Sequence, residues 1–532
     1  MKRVTMALII LVVFVLSCGE GKKSSLLNND PIQQKYLQWL NQGTEAIPQL
    51  KEAVKSSQWR IRTHALLAMG KTGDKSLIPL IHDILKKDKH RAVKNCAVIA
   101  LGDLKAQHGR TTIEALLEKS IKQPGGVSPL ILMEALGKIG NSKSIESLYK
   151  VLYTGKNRLQ LGAAKALIAI NDKSVGNRIL RDRKRIRKHN LEKFAAQIIG
   201  ELQFKNGGSY LHSILKSNNL RHKIAAAVAL GQIKYKPSSL SLVASLKIKN
   251  SLLQKQASLA LISINDNRAV YSLIALFKEG DSSVYMSGAY VLSYMKQRGI
   301  AKKVYGALIS NSKINRPAAY VLGRKKYKIA APLIRKRLGD VSQSGHNELA
   351  RALGWFHDVS SIDLLIKVMK RKNLKGVTGS IWSLGQMKAS KAVEPMVLML
   401  NKGDRRLRPY LIAALGSIGD KRAVEPLIEL LYVSSAKYSR AIGSALGKIG
   451  GTKVKKFIDD NLDSGDTGRV MAAGTALLKI NDKSMAKMAV KLLDHDDKRA
   501  RKYVMRYLGK ITEKNFRKPD EWKKWIEKNP LY

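Results

Sequence analysis

Acidic residues, cysteine and compact catalytic motifs are what this 532-residue chain is short of. Only 40 Asp and Glu stand against 96 Lys and Arg, a formal net charge of +56. Such a field attracts polyanions and anionic membrane surfaces, in a manner weakened by salt. It also describes a well-solvated lysine-rich surface with no special partner, so the charge alone names no ligand. Cys18 and Cys96 are the only cysteines. A disulfide framework is therefore excluded as the source of stability, and Cys96, in a helical pattern, reads as small core filler. None of the ten histidines is followed by glutamate, and no H-x-x-x-H pair, HExxH helix, phosphate-binding P-loop or GxSxG elbow occurs. Zinc, di-iron and common nucleophilic sites thus lack their usual spacing, and we expect no enzyme, no metal and no cofactor. The longest leading apolar run, Val4 to Leu16, has thirteen residues, too few to span a bilayer comfortably.

What the chain has in abundance is one pattern. In RRLRPYLIAALGSIGDKRAVEPLIELL, from Arg405 to Leu431, the residues Leu407, Leu411, Ala414, Leu415 and Ile418 recur at helical spacing and form one buried face. Gly419 and Asp420 then end that helix and start a second one, which holds Pro426 in its first turns. With the leucine before Gly416 as register residue, equivalents are Met69, Leu101, Leu136, Leu167, Ile199, Leu230, Leu261, Leu292, Leu322, Leu353, Leu384, Leu415, Leu446, Leu477 and Leu508. Spacing is 31 residues throughout from Leu322 onward and 30 to 35 before it. A sustained period of this length means stacked two-helix units, none able to bury its apolar face alone. The expected fold is all-α: a right-handed α-solenoid of about fifteen repeats over residues 46–511, read as one structural domain. Asn171-Asp172, Asn265-Asp266 and Asn481-Asp482 replace Gly-Asp at the turn, as asparagine tolerates left-handed backbone. The repeats of Leu292 and Leu322 lack that turn signal. A cap helix is expected within residues 18–45, from Tyr36, Trp39 and Leu40, and another within 512–532, from Trp522 and Trp525.

This repeat resembles the short HEAT repeats named after the phycobilin (PBS) lyases, through Asp404, Leu407, Arg408, Ala414, Leu415, Gly416, Ile418, Gly419, Asp420, Ala423, Val424, Pro426, Leu427 and Leu431. The resemblance implies a solenoid fold. It carries little about activity, because such repeats serve enzymes, adaptors and scaffolds alike. The amino terminus has its own resemblance. Lys2, Arg3 and the apolar run lead to Val15-Leu16-Ser17-Cys18, which is similar to the lipobox of bacterial lipoproteins. That implies a signal peptide at 1–17, cleavage before Cys18, acyl chains on Cys18, and a place in the cell envelope. Residues 19–29 would be the tether.

Candidate contacts come from the helix face opposite the apolar stripe. Positions six before, two before and two after the register residue share that face. They hold Met286, Tyr290 and Tyr294, then Arg316, Tyr320 and Arg324, then Asn347, Arg351 and Trp355, then Thr378, Trp382 and Gln386. Stacked in register, these place five aromatics and three arginines on adjoining strips, a composition typical of binding hot spots. Rings filling grooves between neighbouring helices give the same pattern. The expected partner is a protein or an anionic envelope polymer or lipid, with the membrane reached through Cys18. Export argues against nucleic acid, and the sequence sets no oligomeric state. The basic runs, Lys86–Arg91, Arg181–Lys188, Lys370–Lys375, Arg405–Arg408 and Lys498–Lys502, are expected mostly at turns between the two helices of a repeat.

Overall fold

The computed structural model describes residues 30–529 apart from 124, 435 and 481. The signal, Cys18 and the tether lie outside these residues, as does Asn481. Every element among the described residues is a helix, and the fold is an α-solenoid of two-helix repeats. The chain divides between Ile264 and Asn265 into two compact units. The first carries the register residues Met69 to Leu261 and the second Leu292 to Leu508. Each register residue sits in the first helix of its repeat and is at most 1% exposed. Burying such a side chain contributes about 1.5–3 kcal/mol, so the periodic leucines are a main apolar term in both units.

Spacing between first helices is set by the next residue along. It is glycine after Met69, Leu101, Leu136, Ile199 and Leu230 in the first unit, and after Leu322, Leu353, Leu384, Leu415 and Leu446 in the second. Each of these glycines lies against the residue just before the register residue of the following repeat. A Cβ built on Gly70, Gly231 or Gly416 would stand 2.8, 2.8 or 2.6 Å from the Cα of Ala100, Ala260 or Ala445. Backbones that close leave no room for a methyl group, so the first helices form the tightly packed layer of each unit.

In most repeats the residue four after the register residue lies on left-handed backbone and marks the turn. Gly73, Gly140, Gly419 and Gly450 take that position, and so do Asn171 and Asn265. Lys105, Gln203, Lys234, Lys326, His357 and Lys388 adopt it too, with φ between 51° and 54°. The geometry therefore survives at Leu322 without its sequence signal. At Leu292 it does not: Met295 is extended and the left-handed residue moves to Gly299. Where an Asx residue follows the turn its side chain can start the second helix, as Asp420 Oδ1 does by accepting from Arg422 N at 3.0 Å and Asp172 Oδ1 from Ser174 N at 2.8 Å.

The connection from one repeat to the next has its own fastening. Seven residues before the register residue, Gln160 Nε2 donates to Leu152 O, Gln254 Nε2 to Leu246 O and Arg408 Nε to Leu400 O, at 3.3, 3.0 and 3.3 Å. These bonds satisfy carbonyls at the end of the preceding second helix. Most of the basic runs lie at this repeat-to-repeat connection, not at the turn within a repeat. Lys86–Arg91, for example, joins the helices Ile78–Lys87 and Arg91–Asp103. The run at 181–190 is not a bare turn either, since Arg183–Lys188 forms a short extra helix.

At the amino-terminal end, the helix Pro31–Gln42 buries Tyr36 and Trp39, with Trp39 Nε1 donating to Gln49 Oε1 at 3.2 Å. At the other end, the helix Pro519–Lys528 buries Trp522, whose ring packs edge-on to Phe516 at 4.9 Å. Trp525 is only partly covered.

We expect Gly416→Ala to cost about 1–3 kcal/mol, read as a lower guanidinium midpoint, because the new methyl has nowhere to go. Gly306 sits in the helix Ile300–Ser310 with nothing within 4 Å of a built Cβ. There Gly306→Ala should raise stability by about 0.5–1 kcal/mol.

A second expectation concerns pH. Burial lowers the imidazoles of His64, His222 and His346 from their ordinary value, so the folded chain resists protonating them. The unfolded chain protonates them near pH 6.5, so unfolding takes up protons as the pH falls through that value. Melting temperature should drop between pH 7.5 and 5.5, and glutamine at all three positions should flatten that slope.

Candidate partner-binding face

Four successive first helices of the second unit build this face: Ser282–Tyr294, Asn315–Arg324, His346–Phe356 and Val377–Gln386. Their apolar stripes point inward, with Leu292, Leu322, Leu353 and Leu384 fully buried. The opposite face must then carry the residues two before and two after each register residue outward.

The five rings form two adjoining groups along the row. Tyr290 and Tyr294 lie 4.8 Å apart, centroid to centroid, and are 37% and 43% exposed. Tyr320 on the next helix stands edge-on to Trp355 at 5.9 Å, and Trp355 edge-on to Trp382 at 5.5 Å. Tyr320, Trp355 and Trp382 are half-buried. Burial pushes the Tyr320 phenol up from its ordinary value, against the pull of the Arg324 cation beside it. Trp355 lies over Gly323: a Cβ there would come within 2.3 Å of its Cε3. The glycine that lets the helices approach is thus also the bed for the indole.

The arginines do different things. Arg324 Nη2 donates to Tyr294 OH at 2.7 Å, with the guanidinium 5.1 Å from that ring's centroid. This joins the tyrosine pair to the Tyr320 helix. Arg316 Nε donates to Glu348 Oε1 at 3.0 Å and Nη1 to Tyr285 OH at 3.2 Å. Arg351 is half-buried, and its Nε has no hydrogen-bond partner. Two polar residues of the predicted strip turn to each other instead of outward, with Thr378 Oγ1 donating to Asn347 Oδ1 at 2.9 Å.

Two adjoining clefts flank this row, and sequence reasoning missed both. One, of about 540 Å³, is lined by Tyr285, Lys278, Lys313 and Arg316. The other, of about 480 Å³, shares Arg316 and adds Gln343, Glu348 and Lys375. Lys278, Lys313 and Lys375 come from connections between repeats, whose spacing the helical pattern does not fix. Chemically, the face offers aromatic surface edged by cations. No group of three or more His, Cys, Asp or Glu among the described residues is placed to hold a metal. No helix among them is long and apolar enough to cross a membrane. Cys96 is buried, which raises its thiol to about 12 and leaves it no nucleophilic role.

Residues 35–124 match the family model described as HEAT repeats, and residues 408–432 match the PBS lyase HEAT-like repeat. These two matches support HEAT repeats in those stretches of the solenoid. Among solved structures, importin beta in an ammonium sulfate condition is 10% identical over 91% of this chain and 81% of that one, with a TM-score of 0.42. Yeast importin-beta is 13% identical over 91% of this chain and 74% of that one, with a TM-score of 0.44. A chain from the complex of CpcE and CpcF of phycocyanin lyase from Nostoc sp. PCC7120 is 19% identical, over 43% of this chain and 94% of that one, with a TM-score of 0.28. No curated protein matches the chain.

The bed under Trp355 gives a direct check on the row. Gly323→Ala should displace the indole and weaken the near-ultraviolet circular dichroism of the Tyr320–Trp355–Trp382 group about as much as Trp355→Phe does. An unchanged spectrum in the alanine variant would mean that the ring does not rest on Gly323 in solution.

Proposed function

We propose that the chain is a lipid-anchored scaffold of a bacterial envelope, held through acylated Cys18 and binding a protein or polyanionic partner on the first-helix face of its HEAT array. The observation that carries the binding part is the row of Tyr290, Tyr294, Tyr320, Trp355 and Trp382, bordered by Arg316, Arg324 and Arg351. Elsewhere the same positions are plain: the Leu415 repeat has Pro409, Ala413 and Ser417 there. Five aromatic rings on a solvated face cost solubility unless something covers them, and Tyr, Trp and Arg are the residues that dominate binding energy. The anchoring part rests on the amino-terminal pattern that ends at Cys18. On this reading the protein acts by holding, not by turnover.

Fractionation of cells expressing the wild type and Cys18→Ala, with intact mass of the mature chain, tests the anchor. Acyl mass on the wild type and release of the variant from the membrane are expected. A soluble wild type beginning upstream of Cys18 would remove the envelope reading and make nucleic acid, with its salt-dependent affinity, the partner to test. The match at 408–432 favours one other reading, an enzyme-accessory role like that of a lyase chaperone. A chromophore or cofactor that stays bound through purification would support it.

A further inference from the structure

We propose that the occupant of the aromatic row is an acidic linear segment of a partner protein, with apolar or aromatic side chains set among its carboxylates. This deepens the scaffold reading by naming the chemistry of the partner, and it rests on the first-helix face being the binding face.

Charge is the first observation. The row and its clefts present six cations, Lys278, Lys313, Arg316, Arg324, Arg351 and Lys375, against two carboxylates, Glu279 and Glu348. Glu348 is already bonded to Arg316. Arg324 spends its hydrogen bond on a neutral phenol, so its charge stays uncompensated by that contact. Arg351 Nε–H is buried without an acceptor. A buried donor left in this state is destabilising, and an incoming carboxylate that draws the guanidinium outward would relieve it. Carboxylates are the planar acceptors that guanidinium groups take in pairs.

The rings decide between a peptide and a simple polyanion. Tyr320, Trp355 and Trp382 are half-buried and held edge to face by one another, and Trp355 by Gly323, so little side-chain entropy of these three rings remains to be lost on binding. A phosphate chain would satisfy the cations and leave that apolar surface uncovered. A protein segment covers both. Its length follows from the helices: the row crosses three spacings of about 8–10 Å each, which an extended segment of about eight residues spans at about 3.3 Å per residue.

The test uses the full chain in detergent at about 0.15 M salt, where screening weakens purely electrostatic capture. The probe is a fluorescein-labelled peptide of about ten residues with phenylalanines spaced among aspartates. Its comparators are polyaspartate of the same length, the same peptide with asparagine for aspartate, and inorganic polyphosphate. Fluorescence polarisation should show the phenylalanine–aspartate peptide bound at least about tenfold more tightly than any comparator. Trp355→Leu and Arg351→Gln should each weaken it at least about tenfold, with the melting temperature kept within a few degrees. Equal binding of polyaspartate or polyphosphate would overturn the inference, because charge alone would then suffice. So would indifference of the peptide to both substitutions, or no binding of the peptide at all. A chain acylated at Cys18 that ignores the peptide would sink this inference and leave the anchored scaffold standing. Peptide binding by a chain that is not acylated would do the reverse.

Discussion

The contact between a glycine and the backbone of the next first helix is the constraint on which the rest depends. A helix packed through leucines keeps its neighbour about 8–10 Å away, and a glycine facing an alanine allows the shorter end of that range. The contact recurs in five repeats of each unit, and there it lets one first helix seat closely on the next. The register leucines then fall into the interior together, and what lies opposite them must fall into line as well. Neither the buried stripe nor the outward row needs any further device to stay aligned. A methyl group at Gly416 would disturb the alignment, not merely fill space.

The same contact explains why so much of the fold was legible and where legibility stopped. Leucine, glycine and alanine recur at fixed offsets in most repeats, so the register, the first helices and the outward strips could be read from the pattern. The turn could be read only where glycine or asparagine marks it. At Lys105, Lys326 and His357 the packing of two helices holds an ordinary residue on left-handed backbone, at a cost of roughly 1–2 kcal/mol that helix burial offsets. A cost borne by tertiary contacts leaves no local signature. The short helix Arg183–Lys188 was hidden for the opposite reason: a run of six residues with five cations looks like a solvated turn, and only Ile186 reaches the interior.

In the candidate site, the helical offsets brought all five rings and their arginines to one face, but they did not say what each would touch. Asn347 and Thr378 share that face and satisfy each other, because two short polar side chains on adjacent helices are within reach once glycine has drawn the helices together. Tyr285, which receives Arg316, lies on a neighbouring strip and was passed over. The clefts depend on connections whose lengths vary, Lys278 and Lys313 on one side and Lys375 on the other, and no periodicity places those residues.

The connection between repeats also varies in the residue that stands beside it. Seven residues before the register position, Gln160, Gln254 and Arg408 donate to the end of the preceding helix. Glu192 occupies that position in the Ile199 repeat and, as a carboxylate, can only accept. The extra helix Arg183–Lys188 removes the need for a donor, since Leu191 N already bonds Ile186 O at 3.0 Å. Freed from capping, the Glu192 carboxylate turns inward beside His222, 3.7 Å from its Nδ1, with Arg187 3.9 Å away on the other oxygen. Neither distance is a hydrogen bond, and Glu192 Oε2 has no hydrogen-bond partner among the described residues. A proton on His222 would give that oxygen a charged donor, yet burial opposes the proton more strongly than the carboxylate attracts it. Beside the inserted helix a buried acid and base are thus held just short of pairing. The aromatic face departs from the plain repeat differently, since its rings lie outside the packing rules altogether.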